Sequence, residues 1–278
     1  MWTKISSLLP VTDPMPVLFV GHGSPMNAIE DNRYSQSWSS LGWLFGKKWP
    51  EPKLIISISA HWRTIHTWSL TGMAYPRTIH DFGGFPKKLF DQQYCAPGAP
   101  NLAKALCHDL SKLLGPNQVT IDDQWGFDHG TWSVLIKMFS SEKIPVVQLS
   151  IPVDISPTVH INMGRYLSNL RRYGILVMGS GNVTHNLGRM DRGTRADKAY
   201  EWAFTFDAKV EDTLLRRDEG ELVNFSNWGP ESILSHPTDE HFLPLLYTFG
   251  ASQDESQIRF FNTEFYGSSI SMRSVIWG

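Results

Sequence analysis

Four short apolar runs punctuate the chain at Val17–Val20, Leu54–Ser59, Val146–Ser150 and Ile175–Met178, each ending in Gly or polar positions. None alternates strictly with polar residues, which fits strands buried on both faces. Between them the apolar period lengthens to three and four. Asn101–Leu114 follows Pro100 and sets Leu102, Ala105, Leu106, Leu110 and Leu113 on one helical face, and His129–Phe139 and Thr158–Arg171 have similar spacing. The longest helical pattern, Arg195–Arg217, repeats Ala199, Trp202, Ala203, Phe206, Val210 and Leu214 until Asp-Glu-Gly at 218–220 stops it. Strand and helix alternate, so the pattern predicts an α/β domain with a mainly parallel central sheet and helices on both faces. Ile258–Phe265 and Ser269–Trp277, across Tyr266-Gly267-Ser268, predict an antiparallel edge hairpin.

No internal repeat, low-complexity tract or long linker divides the 278 residues, which favours a single domain with long loops. Hydrophobic residues at 41% and charged residues at 19% exclude disorder. A balance of 25 basic against 27 acidic residues offers no general basic surface for nucleic acid. Cys95 and Cys107 are too few for a disulfide framework or a four-thiolate zinc site, which suits a reducing compartment. The start, M-W-T-K-I-S-S-L-L-P, does not read as a signal peptide, and no apolar run approaches the roughly 18–20 residues of a membrane helix. A cytoplasmic protein without membrane or nucleic-acid partners is expected, as a monomer or small homo-oligomer.

The ten histidines become informative through position. Ligands of open α/β sheets bind beyond the carboxyl ends of the strands. Val17–Val20 runs into Gly21-His22-Gly23, Leu54–Ser59 into Ala60-His61-Trp62, and Ile175–Met178 into a Gly-rich loop ending at His185. Parallel strands would place all three histidines at one edge, with glycines allowing close backbone approach. A shared site for Zn, Fe or Cu is therefore expected. His129, at a helix start in F-D-H-G-T-W, and His236, in S-H-P-T-D-E-H-F, are further candidates; His66, His80, His108 and His160 read as ordinary loop or core residues. Gly179-Ser180-Gly181 completes no dinucleotide fingerprint, and there is no H-E-x-x-H, G-x-S-x-G or Walker motif.

Several segments together carry a resemblance: G-H-G-S-P-M at 21–26, S-A-H-W at 59–62, H-D-F-G-G-F-P at 80–86, D-H-G-T-W at 128–132, G-S-G-N-V-T-H-N-L at 179–187 and H-P-T-D-E-H-F-x-P-L at 236–245. In this colinear order they resemble the class III extradiol ring-cleavage dioxygenase family, closest to its DOPA dioxygenase branch. The resemblance spans a catalytic domain at 16–278 and leaves 1–15 as an N-terminal extension. It implies a mononuclear metal site, with zinc as the branch's metal, and O2-dependent 4,5-extradiol opening of the catechol ring of L-DOPA to a seco-DOPA that cyclises spontaneously. By motif position, His22, His61 and His236 would be metal ligands. His185 would either complete a four-histidine site or serve as the acid/base. His129 would contact substrate, His241 would be a weaker pocket residue, and Phe82, Phe85 and Trp62 would supply ring-stacking walls.

The all-histidine set departs from the two-His, one-carboxylate iron pattern, with Glu240 as the nearby carboxylate. It suits tetrahedral Zn equally well, yet Zn has no redox change to offer O2, so Fe(II) stays in play as the redox-competent metal. Two other functions compete: a zinc-dependent hydrolase of a small amide or ester using the same histidines, and a metal-storage protein, which would have no need of an aromatic, substrate-shaped pocket.

Overall fold

In the computed structural model, which describes residues 2–191, 193, 198–252, 255 and 257–278, all four apolar runs are strands. They are β1 (Val17–Gly21), β2 (Leu54–Thr64), β5 (Val146–Pro152) and β6 (Ile175–Gly181), and between them lie β3 (Trp68–Thr71) and β4 (Val119–Asp122). Near the C-terminus follow β7 (Ile258–Phe261), β8 (Phe265–Tyr266), β9 (Ile270–Ser271) and β10 (Ser274–Trp277). The large sheet runs β4-β3-β5-β2-β6-β1-β10-β7, and its centre, β5-β2-β6-β1, is parallel throughout.

The central strands are apolar on both faces because each face meets a core. Val17 and Phe19 point into one buried cluster and Leu18 and Val20 into the other, as the two-residue side-chain period requires. The helical patterns appear as Pro100–Leu114, His129–Met138, Pro157–Ser168 and Glu201–Arg216. Of the pattern beginning at Arg195, residues 195–197 lie outside the described residues.

The edge hairpin is present but divided. Its outer arms, β7 and β10, pair antiparallel, and β10 also pairs antiparallel with β1. Its tip is a separate two-stranded ladder, β8 with β9. Two strands at the opposite edge, β3 and β4, have no counterpart in the sequence pattern; each is only four residues long. A further helix, Leu243–Ala251, is buried at every position and therefore shows no amphipathic period.

Residues 2–15 pack onto the body. Buried Asp109, on helix Pro100–Leu114, accepts hydrogen bonds from the backbone N–H groups of Lys4 (2.9 Å) and Ile5 (3.2 Å), and Trp2 and Ile5 are buried. Among the described residues, no helix is long and apolar enough to cross a membrane.

Candidate metal centre and catalytic cavity

Because β2, β6 and β1 are adjacent and parallel, the histidines at their carboxyl ends share one edge. His22 directly follows β1, and its backbone N–H donates to Gly181 O of β6 at 3.1 Å. His61 lies in β2 where the register with β5 is broken between Ile58 and Arg63, an irregularity of the kind that re-aims side chains. The Nε2 atoms of His22 and His61 stand 3.2 Å apart.

The third residue brought to this point is His241, from the loop before helix Leu243–Ala251. Ligand atoms of His22, His61 and His241 all lie within 4.8 Å of one another. Gly181 makes the approach possible: a Cβ there would sit 2.1 Å from the His241 carbonyl oxygen, which accepts from the Asn182 N–H at 2.9 Å.

Hydrogen bonding at Nδ1 settles the tautomers. The Ser180 hydroxyl donates to Gly130 O (2.5 Å), so its oxygen accepts from His22 Nδ1 (3.0 Å). His241 Nδ1 donates to Glu240 Oε1 (3.2 Å), and His61 Nδ1 faces the Asp81 carboxylate, 3.2 Å from Oδ2, which favours a proton on that nitrogen. Each ring thus keeps a lone pair on Nε2, and that of His241 is buried without a hydrogen-bond partner. Burial first, and then the neighbouring imidazoles, push all three pKa values well below the usual histidine range. Converging neutral imidazoles with oriented Nδ1–H groups form a donor set suited to a divalent transition metal. Two imidazole nitrogens each about 2.0–2.1 Å from a tetrahedral ion would stand roughly 3.3 Å apart, close to the spacing seen.

His129 is the first residue of helix His129–Met138, whose N-cap Asp128 accepts from Thr131 N. Asp128 is itself held by Ser59 Oγ (2.6 Å) and Gln148 Nε2 (2.7 Å), which fixes the helix start against the sheet. His129 Nδ1 donates to Asp81 Oδ1 at 3.0 Å, and its ring centroid lies 3.9 Å from that of His61. Burial alone would raise the Asp81 pKa, but the hydrogen bonds from His129 and the electrostatic attraction of the His129 and His61 rings hold it at about 2. Asp81, within H-D-F-G-G-F-P, carries no chemical signal of its own along the chain.

His185 lies just beyond β6, its ring stacked on His241 at 3.4 Å and 8°. Burial, followed by the charges of His236 and His129, lowers its pKa to about 3. These histidines open on a cavity of about 1030 Å³, walled in part by Phe82, Phe85, Leu187, Tyr266 and Ile270. Carboxylates of Glu240 and Asp191 also line it, and among the described residues no Lys or Arg does.

Two expected site residues lie elsewhere. His236 is not in the metal-binding group: its Nε2 donates to Val183 O at 2.6 Å, and its ring packs among Phe206, Phe225 and Phe242. The loop 236–241 turns His236 into this aromatic nest and delivers His241 to the cluster instead. Trp62 is buried (3% exposed), stacks on Trp125 at 5.7 Å and does not line the cavity. Next to His61 on an extended strand, it faces the opposite way.

A family model described as the catalytic LigB subunit of aromatic ring-opening dioxygenase matches residues 16–275. The chain is 44% identical to the 4,5-DOPA dioxygenase extradiol of Escherichia coli K12, over 99% of both chains. It is 36% identical to the protein of the same name from Beta vulgaris, over 92% of this chain and 94% of that one. The crystal structure of an uncharacterized Escherichia coli K12 protein superposes with a TM-score of 0.78 at 40% identity, covering 95% of this chain and 100% of that one.

Proposed function

The chain belongs to the family of catalytic LigB subunits of aromatic ring-opening dioxygenases, and from that premise we propose that it opens the catechol ring of L-DOPA by 4,5-extradiol cleavage. Both atoms of O2 are incorporated, and the seco-DOPA formed cyclises spontaneously. The observation that carries this reading is the convergence of His22, His61 and His241 on one wall of a cavity that also presents His129, His185 and Phe82.

We assign His22, His61 and His241 as the metal ligands. A divalent ion held there supplies Lewis acidity that lowers the catechol hydroxyl pKa and, if it is Fe(II), a redox partner for O2. Burial keeps His185 neutral, and beside the anionic catecholate, whose charge raises the ring's basicity, it accepts the remaining phenolic proton through a ring nitrogen and returns one as the ring opens. His129, anchored to Asp81 through Nδ1, offers the Nε2 lone pair to a substrate hydroxyl proton. Phe82 packs against the catechol ring. Glu240, which has Arg63 3.9 Å from its Oε2, and Asp191 are among the lining residues and offer carboxylates to the side-chain ammonium group of L-DOPA.

Residues 16–278 form the catalytic domain in this reading, with 1–15 as an N-terminal extension whose Lys4 and Ile5 bond to Asp109 of helix Pro100–Leu114. Free Cys95 and Cys107 suit the reducing cytoplasm, and a monomer or small homo-oligomer is proposed there. Fe(II) is the proposed working metal because Zn is redox-inert. A zinc-dependent hydrolase is not favoured, since the matched relatives carry dioxygenase names.

Anaerobic reconstitution of metal-free protein with Fe(II) or Zn, followed by L-DOPA and O2, tests the proposal. Coupled O2 uptake and yellow product with Fe(II) alone is the expected result. Turnover with iron-free Zn would overturn the choice of metal, and inactivity with both would overturn the dioxygenase reading.

A further inference from the structure

We propose that Asp81 is a shared positioning residue, one carboxylate setting the tautomers of two histidines with different duties. The inference rests on the assignment of His61 as a metal ligand and His129 as a substrate contact. Asp81 Oδ2 lies 3.2 Å from His61 Nδ1. Its Oδ1 receives both the His129 Nδ1–H and the His129 backbone N–H, each at 3.0 Å. An ionised carboxylate only accepts hydrogen bonds, so the bonded His129 Nδ1 carries its proton, and the carboxylate oxygen 3.2 Å from His61 Nδ1 favours a proton there too; both Nε2 atoms then present lone pairs. One side chain therefore prepares His61 to bind a cation and His129 to meet substrate.

The same geometry predicts an asymmetric response to an amide. In Asp81→Asn the amide oxygen stays on the His129 side, because the backbone N–H there is a donor that cannot reverse. The amide NH2 then faces His61 Nδ1, which must become an acceptor. The His61 proton moves to Nε2, the atom needed as ligand, while His129 keeps its native tautomer. A merely structural role for Asp81 would not separate the two rings in this way.

The test is titration of full-length, metal-free wild type, Asp81→Asn, His61→Ala and His129→Ala with Zn(II) against a competing chelator. In parallel, nitrogen-15 histidine spectra of the metal-free proteins report each tautomer independently of turnover. Asp81→Asn is expected to bind Zn(II) about 10–100-fold more weakly, the usual cost of losing an outer hydrogen-bond partner. His61→Ala is expected to bind at least as weakly, and His129→Ala to retain wild-type affinity. The spectra should show His61 protonated on Nδ1 in wild type and on Nε2 in Asp81→Asn, with His129 unchanged. Wild-type affinity or an unshifted His61 tautomer in Asp81→Asn, alongside weakened His61→Ala, overturns the inference alone. Wild-type affinity in His61→Ala overturns the metal-site assignment beneath it, and the inference with it.

Discussion

Replacing His236 by alanine separates the two histidines of the H-P-T-D-E-H loop. The change removes the donor that meets Val183 O at 2.6 Å, leaving a buried carbonyl without a partner, a loss of about 1–3 kcal/mol. It also removes ring contacts with Phe206, Phe225 and Phe242, at centroid separations of 5.3, 6.0 and 5.2 Å. Such pairs contribute about 0.5–1.5 kcal/mol each when fully packed, but His236 is only partly buried and these contributions overlap. A total on the order of 3 kcal/mol follows, and for a chain of this size that lowers Tm by roughly 6–12 °C. Thermal unfolding of the metal-free proteins and the metal-to-protein ratio after reconstitution provide the assay. His236→Ala should melt earlier yet fill with metal, whereas His241→Ala should lose metal. If His236→Ala loses its metal while the metal-free Tm stays put, the placement of these two residues is refuted.

Acid should destabilise the metal-free protein in a defined window. Burial lowers the pKa of His160 to about 4, and that of His236 to about 4 against the opposing pull of the Val183 carbonyl. The unfolded chain binds these protons first, so this stability is present above about pH 6.5 and is lost as pH falls toward about 4; urea midpoints that stay flat across this range would contradict it. His185→Ala and His129→Ala should each retain metal while turnover falls about 10²–10⁴-fold, the usual contribution of a positioned proton-transfer group; loss of bound metal would make either residue a ligand instead. Gly181→Ala should weaken metal binding, because its Cβ would press within 2.1 Å of the His241 carbonyl, and wild-type metal affinity in that variant would show that the loop adapts.

Much of this architecture was legible along the chain. A parallel strand at the centre of a sheet must be apolar on both faces, so β1, β2, β5 and β6 announce themselves as continuous apolar runs. Their histidines follow from chain connectivity: His22, His61 and His185 are attached at or near carboxyl ends that a parallel sheet must align. The short strands β3 and β4 are too brief to carry a pattern, and helix Leu243–Ala251 is apolar all round, so its period is hidden.

The sequence by itself determined which strand ends would share an edge and what chemistry stood there, because those facts need only local pattern and topology. Only the tertiary structure placed His241, and not His236, beside His22 and His61, set Asp81 between His61 and His129, and turned Trp62 away from the cavity. Each of these choices depends on how a loop packs against residues distant in sequence, such as His241 against Gly181 or Asp81 against His129. Spacing along the chain carries no record of those contacts, since their energies arise only when the distant partners meet.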